Sequence, residues 1–160
     1  MVDNYRIISQ NRKARYEYFI EEEYEAGLVL EGDEIKSIRS SGVSIQDAHV
    51  EFDKSNELYI HNLNIAPYKM ASAFSKSEPN RKKKLLLRRK EINRIGGKIR
   101  LRGFTCVPLV LYLNSRNYAK IKIAVVKGKK LYDKRESIRE REIKREELRT
   151  AKMSSQSEHL

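Results

Sequence analysis

The residues best suited to chemistry in this chain form a dense basic run at 81–90, RKKKLLLRRK, in which seven of ten side chains are cationic. Such a run can be an ordinary solvated surface, but its density favours a polyanionic partner, and RNA phosphates are suitable ligands. On a helical wheel Leu86 lies among Lys82, Arg89 and Asn93, away from the apolar arc. We therefore predict that Leu86 is exposed and contacts a nucleotide.

A second candidate is the acidic run EEEYE at 21–25, which could bind a metal ion or act in acid–base catalysis, as in a nuclease. Alternation along a strand sends Glu22 to the face opposite the other three glutamates, and no nearby Asp or His completes a ligand set. We interpret most of this run as a solvated strand face. Glu25 is the exception, because a lone carboxylate beside Gly27 can accept a hydrogen bond from a base amino group.

The histidines are a third candidate. His49 and His61 both fall in predicted strands that a barrel could bring together, but no third ligand is apparent. We interpret them as structural or surface residues. Cys106 is the single cysteine, which excludes an intrachain disulfide and a multi-cysteine metal site. The chain has no phosphate-binding loop, dinucleotide fingerprint or hydrolase motif. We therefore predict no catalytic residue, no metal and no cofactor.

Composition limits the class of protein. The 160 residues carry a net charge of +12, and the sequence pI is about 9.8. This charge favours nucleic acid or an anionic membrane as partner. The membrane hypothesis is weak, since no apolar run approaches ~18 residues and the first residues do not resemble a signal peptide. We expect a cytoplasmic protein with one compact domain at 1–127 and a basic C-terminal tail at 128–160.

Strand and turn signals dominate the predicted domain. Strands are predicted over 16–30, 43–52, 57–65, 104–113 and 117–127, and a polar hairpin turn over 53–56. In the strand at 104–113, alternation places Val107, Leu109, Leu111 and Leu113 on one face.

Two helices complete the domain. A short one is expected over 32–39, where Asp33 could cap its first turn. A second is expected from the basic run to Ile95, ended by Gly96 and Gly97. Five or six antiparallel strands, with this helix inserted between the third and fourth, form the layout of an OB-like β-barrel. The predicted fold class is mainly β with α.

The tail differs from the domain. Residues 133–153 are good helix formers without Pro or Gly, but Ile138, Ile143 and Leu148 recur every five residues and share no helix face. From 127 to 152 there are eleven basic and six acidic residues. A cationic helix without an apolar face suits a polyanion, so we predict that the tail is disordered when free and folds on its partner.

At this point the residues resemble a known family, the SsrA-binding proteins of bacterial trans-translation. The matching segments are 11–15 (NRKAR), 17–20 (EYFI), 25–27 (EAG), 32–39 (GDEIKSIR), 81–92, 107–109 (VPL) and 128–135 (GKKLYDKR). They follow in order from about residue 11 to 152. Departures are local: Glu78 stands where Asp is common before Pro79, and Asp33 where Thr or Trp is usual. Residues 154–160 match nothing in the family pattern.

The resemblance implies an OB-like barrel that binds the tRNA-like domain of transfer-messenger RNA and delivers it, with elongation factor Tu, to stalled ribosomes. It implies no enzymatic activity, and we expect a monomer. The matching RNA-binding positions are Asn11, Glu25, Arg81, Lys83, Lys84 and Leu86. In the family the tail becomes helical in the empty messenger channel past the decoding centre. Its matching positions are Lys129, Lys130, Tyr132, Asp133, Lys134 and Arg135.

Two other function classes stay open on the residues alone. A general ribosome-binding or single-strand-RNA-binding OB module would explain the charge and the barrel, but not a separate tail behind Gly128. An RNA-processing enzyme using the acidic strand is the second alternative. Turnover of labelled RNA with a divalent metal would identify the enzyme.

Overall fold

The computed structural model describes residues 4–68, 70 and 78–157, without the side chains of residues 131–133, 156 and 157. Within these ranges the strands are Arg6–Gln10 (β1), Tyr18–Leu28 (β2), Val43–Ser44 (β3), His49–Phe52 (β4), Leu58–His61 (β5), Asn64–Ile65 (β6), Lys83–Leu86 (β7), Phe104–Leu113 (β8) and Ala119–Gly128 (β9). The helices are Ala14–Glu17 (α1), Gly32–Arg39 (α2), Arg89–Ile99 (α3) and Leu131–Ser157 (α4). In the described part of the chain no helix has the length and apolar composition to cross a membrane.

The sheet closes on itself. Its strands follow the order β1-β8-β4-β5-β7-β2-β9, and β9 pairs back with β8. Every described pairing is antiparallel. The predicted antiparallel OB-like barrel is therefore confirmed. β3 and β6 form a separate two-stranded sheet.

The seven-stranded sheet contains two strands that the sequence did not predict, β1 and β7. The second was missed because the basic run was assigned wrongly. Residues 83–86 form β7, which pairs with β2 and β5, and the helix begins only at Arg89. Leu85 and Leu87 suited a helical face, but burial of Leu85 in the barrel favours the strand. The inserted helix α3 thus follows β7, the fifth strand of this sheet in chain order, and not the third strand as predicted.

Helix α3 also runs through Gly96 and Gly97, which were expected to end it. A Cβ at position 96 would lie 3.4 Å from Cζ of the Phe52 ring. Gly96 therefore permits close packing of the helix on Phe52. At α2 the predicted bounds are confirmed, but the cap is Glu31 in a capping box with Glu34, not Asp33.

The other predicted strands are confirmed in part. The hairpin turn at 53–56 joins β4 and β5, yet both predicted strands are interrupted, giving the short pieces β3 to β6. The strand predicted from residue 16 starts at Tyr18, after the helical turn α1. The strands at 104–113 and 117–127 correspond to β8 and β9.

Two hydrophobic clusters flank β8 and β9. Leu111 and Leu113 belong to the barrel core, whereas Val107 and Leu109 pack in a smaller cluster with Ala14 of α1. The expectation that these four β8 residues share one face was wrong. The pairing of β8 with β9 shifts register between Pro108 and Val110, and such a bulge reverses the facing of the residues beyond it.

Helix α4 confirms the predicted absence of an apolar face. Ile138, Ile143 and Leu148 are 39%, 51% and 62% exposed. The helix meets the rest of the protein at α1. Its backbone is helical from Leu131, two residues before the predicted start.

Candidate nucleic-acid interface

The outer face of β7 carries part of the basic run. Lys83 and Leu85 point into the barrel and are buried, so alternation directs Lys84 and Leu86 outwards. Leu86 is 51% exposed. The prediction that Leu86 is exposed is therefore confirmed, although the helical wheel used to reach it was wrong.

Leu86 lies in a row of residues that crosses four strands of the barrel. Leu86 pairs with Gly27 of β2, Gly27 pairs with Lys120 of β9, and Lys120 pairs with Tyr112 of β8. A Cβ on Gly27 would lie 3.3 Å from Leu86 Cβ and 3.8 Å from Lys120 Nζ. A side chain at position 27 would therefore crowd this row. We call these four residues the cross-strand band.

A groove runs along one end of the cross-strand band. Leu86 and Lys120 line it together with Arg39 of α2 and Tyr118, which is 60% exposed. In such a groove the apolar and aromatic side chains can contact a nucleotide base, and the guanidinium and ammonium groups can bind its phosphate.

Glu25 lies at the other end, beside Tyr112. The Tyr112 hydroxyl donates a hydrogen bond to the exposed Glu25 carboxylate, and the Tyr5 ring packs edge-on against Tyr112 with centroids 5.4 Å apart. Burial and the carboxylate raise the pKa of Tyr112. These three residues and Lys122 line a groove of about 520 Å³. The groove combines aromatic rings with a hydrogen-bond acceptor, and both can contact an unstacked base.

Asn11 is placed near this groove but is engaged by the fold. Its Nδ2 donates to the Pro108 carbonyl at 3.1 Å, and its backbone nitrogen donates to the Leu109 carbonyl at 2.8 Å. Asn11 also lines a neighbouring groove with Arg12, Arg15 and other residues. Asn11 thus fixes the chain between β1 and α1, where two arginines reach the surface.

The buried position of Lys83 argues against its predicted role as a phosphate contact. Its side chain is 0% exposed, and its Nζ donates to the carbonyls of Leu63 at 3.2 Å and Arg81 at 2.6 Å. Glu34, 2% exposed, holds a carboxylate oxygen 3.6 Å from the same nitrogen. Burial lowers the pKa of Lys83, and the Glu34 charge opposes that shift. Alternation along β7 turns Lys83 inwards, which the helical wheel did not show.

Arg81 belongs to the same network. Its guanidinium donates to the Glu34 carboxylate, and its Nε lies 3.7 Å from Glu31. The side chain remains 32% exposed. Lys84 is 39% exposed, and its Nζ lies 3.9 Å from Glu57. Arg81 and Lys84 can therefore reach a ligand, but both have carboxylate partners.

The acidic strand is held by cations and hydroxyls. The Tyr24 hydroxyl and Arg94, at 3.1 Å, hydrogen-bond to Glu22, and these contacts lower the pKa of that carboxyl. Burial raises the pKa of Tyr24 to about 12. Glu23 lies 3.5 Å from Arg15 and 3.9 Å from Lys122. The interpretation of a strand face in contact with solvent fits these ion pairs.

A possible ligand set was missed elsewhere. Among the described residues, His49, Glu51 and His61 have ligand atoms within 4.8 Å of one another. From the sequence, His49 and His61 are expected in neighbouring strands, without a third ligand. Glu51 was detectable, since it follows His49 by two residues in one strand and shares its face.

Residues at the start of the tail contact the barrel. The Lys129 backbone nitrogen donates to the Glu17 carbonyl at 2.9 Å, and its Nζ donates to the Arg15 carbonyl at 3.1 Å and to Ser137 Oγ at 2.6 Å. The same Nζ lies 4.9 Å from the Phe19 ring centroid. Lys129 therefore ties the first turns of α4 to α1 and β2.

The remaining predicted tail residues are more open. Lys130 and Arg135 are exposed and Lys134 is half-buried. Tyr132 and Asp133 lie in the helical backbone of α4, but their side chains are outside the described part of the structure.

Comparisons with known proteins agree over nearly the whole chain. The family model described as SmpB protein matches residues 8–153. The SsrA-binding protein of Wolbachia from Drosophila simulans (strain wRi) is 52% identical over 146 residues, covering 91% of this chain and 97% of the relative. That of Orientia tsutsugamushi (strain Ikeda) is 48% identical over 149 residues, covering 92% and 96%.

A solved structure agrees as well. It is described as "tmRNA-SmpB: a journey to the center of the bacterial ribosome", and the match has a TM-score of 0.64 at 43% identity. It covers 81% of this chain and 93% of the other. With the family match spanning the barrel and most of α4, the chain belongs to the SmpB protein family.

Proposed function

We propose that this chain binds the tRNA-like domain of transfer-messenger RNA and delivers it, with elongation factor Tu, to stalled ribosomes. The observation that carries the proposal is the family match over residues 8–153, which includes both the barrel and the basic helix. The relatives are SsrA-binding proteins, and the matched structure concerns tmRNA and the ribosome. The protein acts as a cytoplasmic, monomeric adaptor, without a cofactor and without catalysis.

The barrel surface that contacts RNA is the cross-strand band with its two grooves. Leu86, Tyr118 and the paired rings of Tyr5 and Tyr112 supply apolar and aromatic contacts. Glu25 supplies a hydrogen-bond acceptor beside them. Each of these contacts can meet an unstacked base, which is the part of an RNA that carries sequence information.

Cations at the edges of this surface hold the RNA backbone. Lys84, Lys120 and Arg39 surround Leu86. Asn11 positions the loop that presents Arg12 and Arg15. Phosphate contacts from such residues fix the orientation of the RNA, while the base contacts select it.

Arg81 and Lys83 act differently from each other. Arg81 keeps a partly exposed guanidinium, so it can exchange a carboxylate partner for phosphate. Lys83 has no such access and serves to hold β7 against Glu34 of α2. We therefore omit Lys83 from the RNA contacts, and its role is to position the strand that carries Lys84 and Leu86.

The helix α4 is the part of the protein that enters the ribosome. Its side chains are exposed from residue 138 to residue 155, and the helix carries an excess of basic residues. Phosphates of ribosomal RNA can pair with Lys130, Lys134 and Arg135, and Tyr132 can stack on a base of the decoding centre. These contacts offset the cost of ordering a helix that has no apolar face.

Electrophoretic titration of the purified chain with two RNAs tests the proposal. One is the tRNA-like domain of transfer-messenger RNA, and the other is an elongator tRNA of matched length and charge. Tighter binding of the tRNA-like domain is expected at every salt concentration. Equal affinity for both RNAs would instead indicate a general RNA-binding module.

A further inference from the structure

A pair of histidines faces solvent on the hairpin formed by β4 and β5. His49 and His61 lie directly opposite each other in the antiparallel register, and the adjacent pair, Val50 and Ile60, is buried in the barrel. Alternation therefore directs both imidazoles outwards. Their rings are stacked, with centroids 5.2 Å apart and an interplanar angle of 11°.

Glu51 completes a three-residue cluster on the same face. Its Oε1 lies 3.3 Å from His49 Nε2, and its Oε2 lies 3.7 Å from His61 Nε2. Among the described residues, these two imidazoles lie within 4.0 Å of the Glu51 carboxylate, and no Lys or Arg nitrogen does. The carboxylate therefore has no stronger cation that a metal ion would need to displace.

The 3.3 Å between His49 Nε2 and Glu51 Oε1 matches the separation of two ligands of one small ion, and the other separations are longer. Two donor atoms at about 2.05 Å from a tetrahedral Zn²⁺ are roughly 3.3 Å apart. The three ligand atoms here lie within 4.8 Å of one another. The histidine side chains are 42% and 33% exposed. Rotation of these rings can bring both Nε2 atoms towards a common point.

We propose that His49, Glu51 and His61 form a binding site for a divalent transition-metal ion, and that Zn²⁺ fits this donor set. Two imidazoles and one carboxylate are a donor set that Zn²⁺ accepts, with water as the fourth ligand. Mg²⁺, which prefers oxygen ligands and retains its water, is a poor fit. Because the ligands come from two strands, the bound ion links β4 to β5. The ion serves to fix the register of this hairpin.

Calorimetric titration of the full-length, tag-free chain with Zn²⁺ alone tests the site. It is run at about pH 7.5, because protons compete for imidazole at lower pH. One Zn²⁺ per chain is expected, and Mg²⁺ should give no binding heat. In a parallel NMR titration, the ring signals of His49 and His61 should change together and saturate at one equivalent.

Variants separate a metal site from a solvated histidine pair. His49→Gln, His61→Gln and Glu51→Gln should each weaken Zn²⁺ binding by about tenfold or more. The double change His49→Gln with His61→Gln should abolish it. His159→Gln is the matched control, since it removes the remaining histidine and should leave binding unchanged. Saturating Zn²⁺ should raise the thermal midpoint of the unaltered chain but not that of the double variant.

Two results would overturn the proposal. One is an absence of saturable Zn²⁺ binding by the unaltered chain. The other is unchanged binding by the double variant with a normal circular-dichroism spectrum. The single Glu51→Gln change keeps the size of the side chain, so a loss of Zn²⁺ binding in this variant reports the ligand rather than the fold.

Discussion

The basic run at 81–90 and the helix α4 are both rich in Lys and Arg but hold these cations differently. In the basic run, Lys83 is buried, and Arg81 and Lys84 have carboxylate partners. In α4 the side chains beyond residue 137 are exposed up to residue 155, where their description ends. The number of basic residues in a segment is therefore a poor measure of the charge that it offers to RNA. What matters is whether a carboxylate or the barrel interior has already engaged that charge.

The largest effect expected from this comparison follows removal of the tail. Truncation after Gly128 should abolish tagging on stalled ribosomes while leaving affinity for free transfer-messenger RNA within about twofold, because the barrel surface is intact and α4 meets the rest of the protein at α1. Tagging assays and gel-shift titrations measure the two outcomes separately.

Replacing Asp133, Lys134 and Arg135 together by Ala should have the same effect as the truncation. This variant keeps the length of the helix, and Ala keeps its propensity high. Normal tagging by the truncated chain would show that the tail is dispensable, and a parallel loss of RNA affinity would show that the tail binds free RNA.

The next effect concerns stability rather than RNA. Lys83→Ala should destabilise the protein by about 3 kcal/mol, because it leaves the Glu34 carboxylate buried next to Arg81 alone and opens a cavity. The thermal or denaturant midpoint measures this change. Lys82→Ala is the matched control, since Lys82 is exposed and loses only a cation–π contact with Tyr59, which should cost less than about 1 kcal/mol.

The salt dependence of RNA binding also distinguishes Lys83 from Lys82. At temperatures where both variants are folded, Lys83→Ala should retain the salt dependence of binding. If the slope of log affinity against log salt fell in Lys83→Ala but not in Lys82→Ala, Lys83 would be a phosphate contact after all.

Leu86→Asp should weaken binding to transfer-messenger RNA by about tenfold and leave the thermal midpoint nearly unchanged. Leu86 is 51% exposed, so no core cavity forms, whereas the new carboxylate would repel phosphate. Leu85→Ala is the contrasting control, because Leu85 is buried and its loss should cost about 2 to 5 kcal/mol. A large fall in the midpoint of Leu86→Asp would contradict this assignment.

The sequence predicted the barrel because alternation in β8 and β9 is strong enough to survive local irregularity. It did not predict the bulge near Pro108, which moves Val107 and Leu109 to a second cluster, since a one-residue shift leaves no mark on an apolar pattern. It also missed β7, because a four-residue strand next to a helix has too few residues to distinguish a period of 2 from 3.6.

The candidate site was predictable to a similar extent. Leu86 is exposed whether the segment is read with the helical period of 3.6 or the strand period of 2. Its exposure was therefore predicted correctly, although the segment is a strand and not a helix. Burial of Lys83 requires Glu34, which is 49 residues earlier in the chain and comes close only when the barrel closes. The cluster of His49, Glu51 and His61 needs the cross-strand register, which the hairpin turn suggested but could not fix.

The smallest expected effect is the most direct test of which cations meet phosphate. Each phosphate contact that is lost should reduce the slope of log affinity against log salt by about 0.7 to 0.9 units. Lys84→Ala should therefore lower the slope by nearly one unit, provided that its side chain leaves Glu57 for the RNA. Lys152→Ala, an exposed change near the end of α4, should leave the slope for free RNA unchanged. Gel-shift titrations at four or more salt concentrations measure both slopes. An equal decrease of the slope in the two variants would mean that free RNA binds the tail as strongly as the barrel. The contrast drawn between the basic run and α4 would then be wrong.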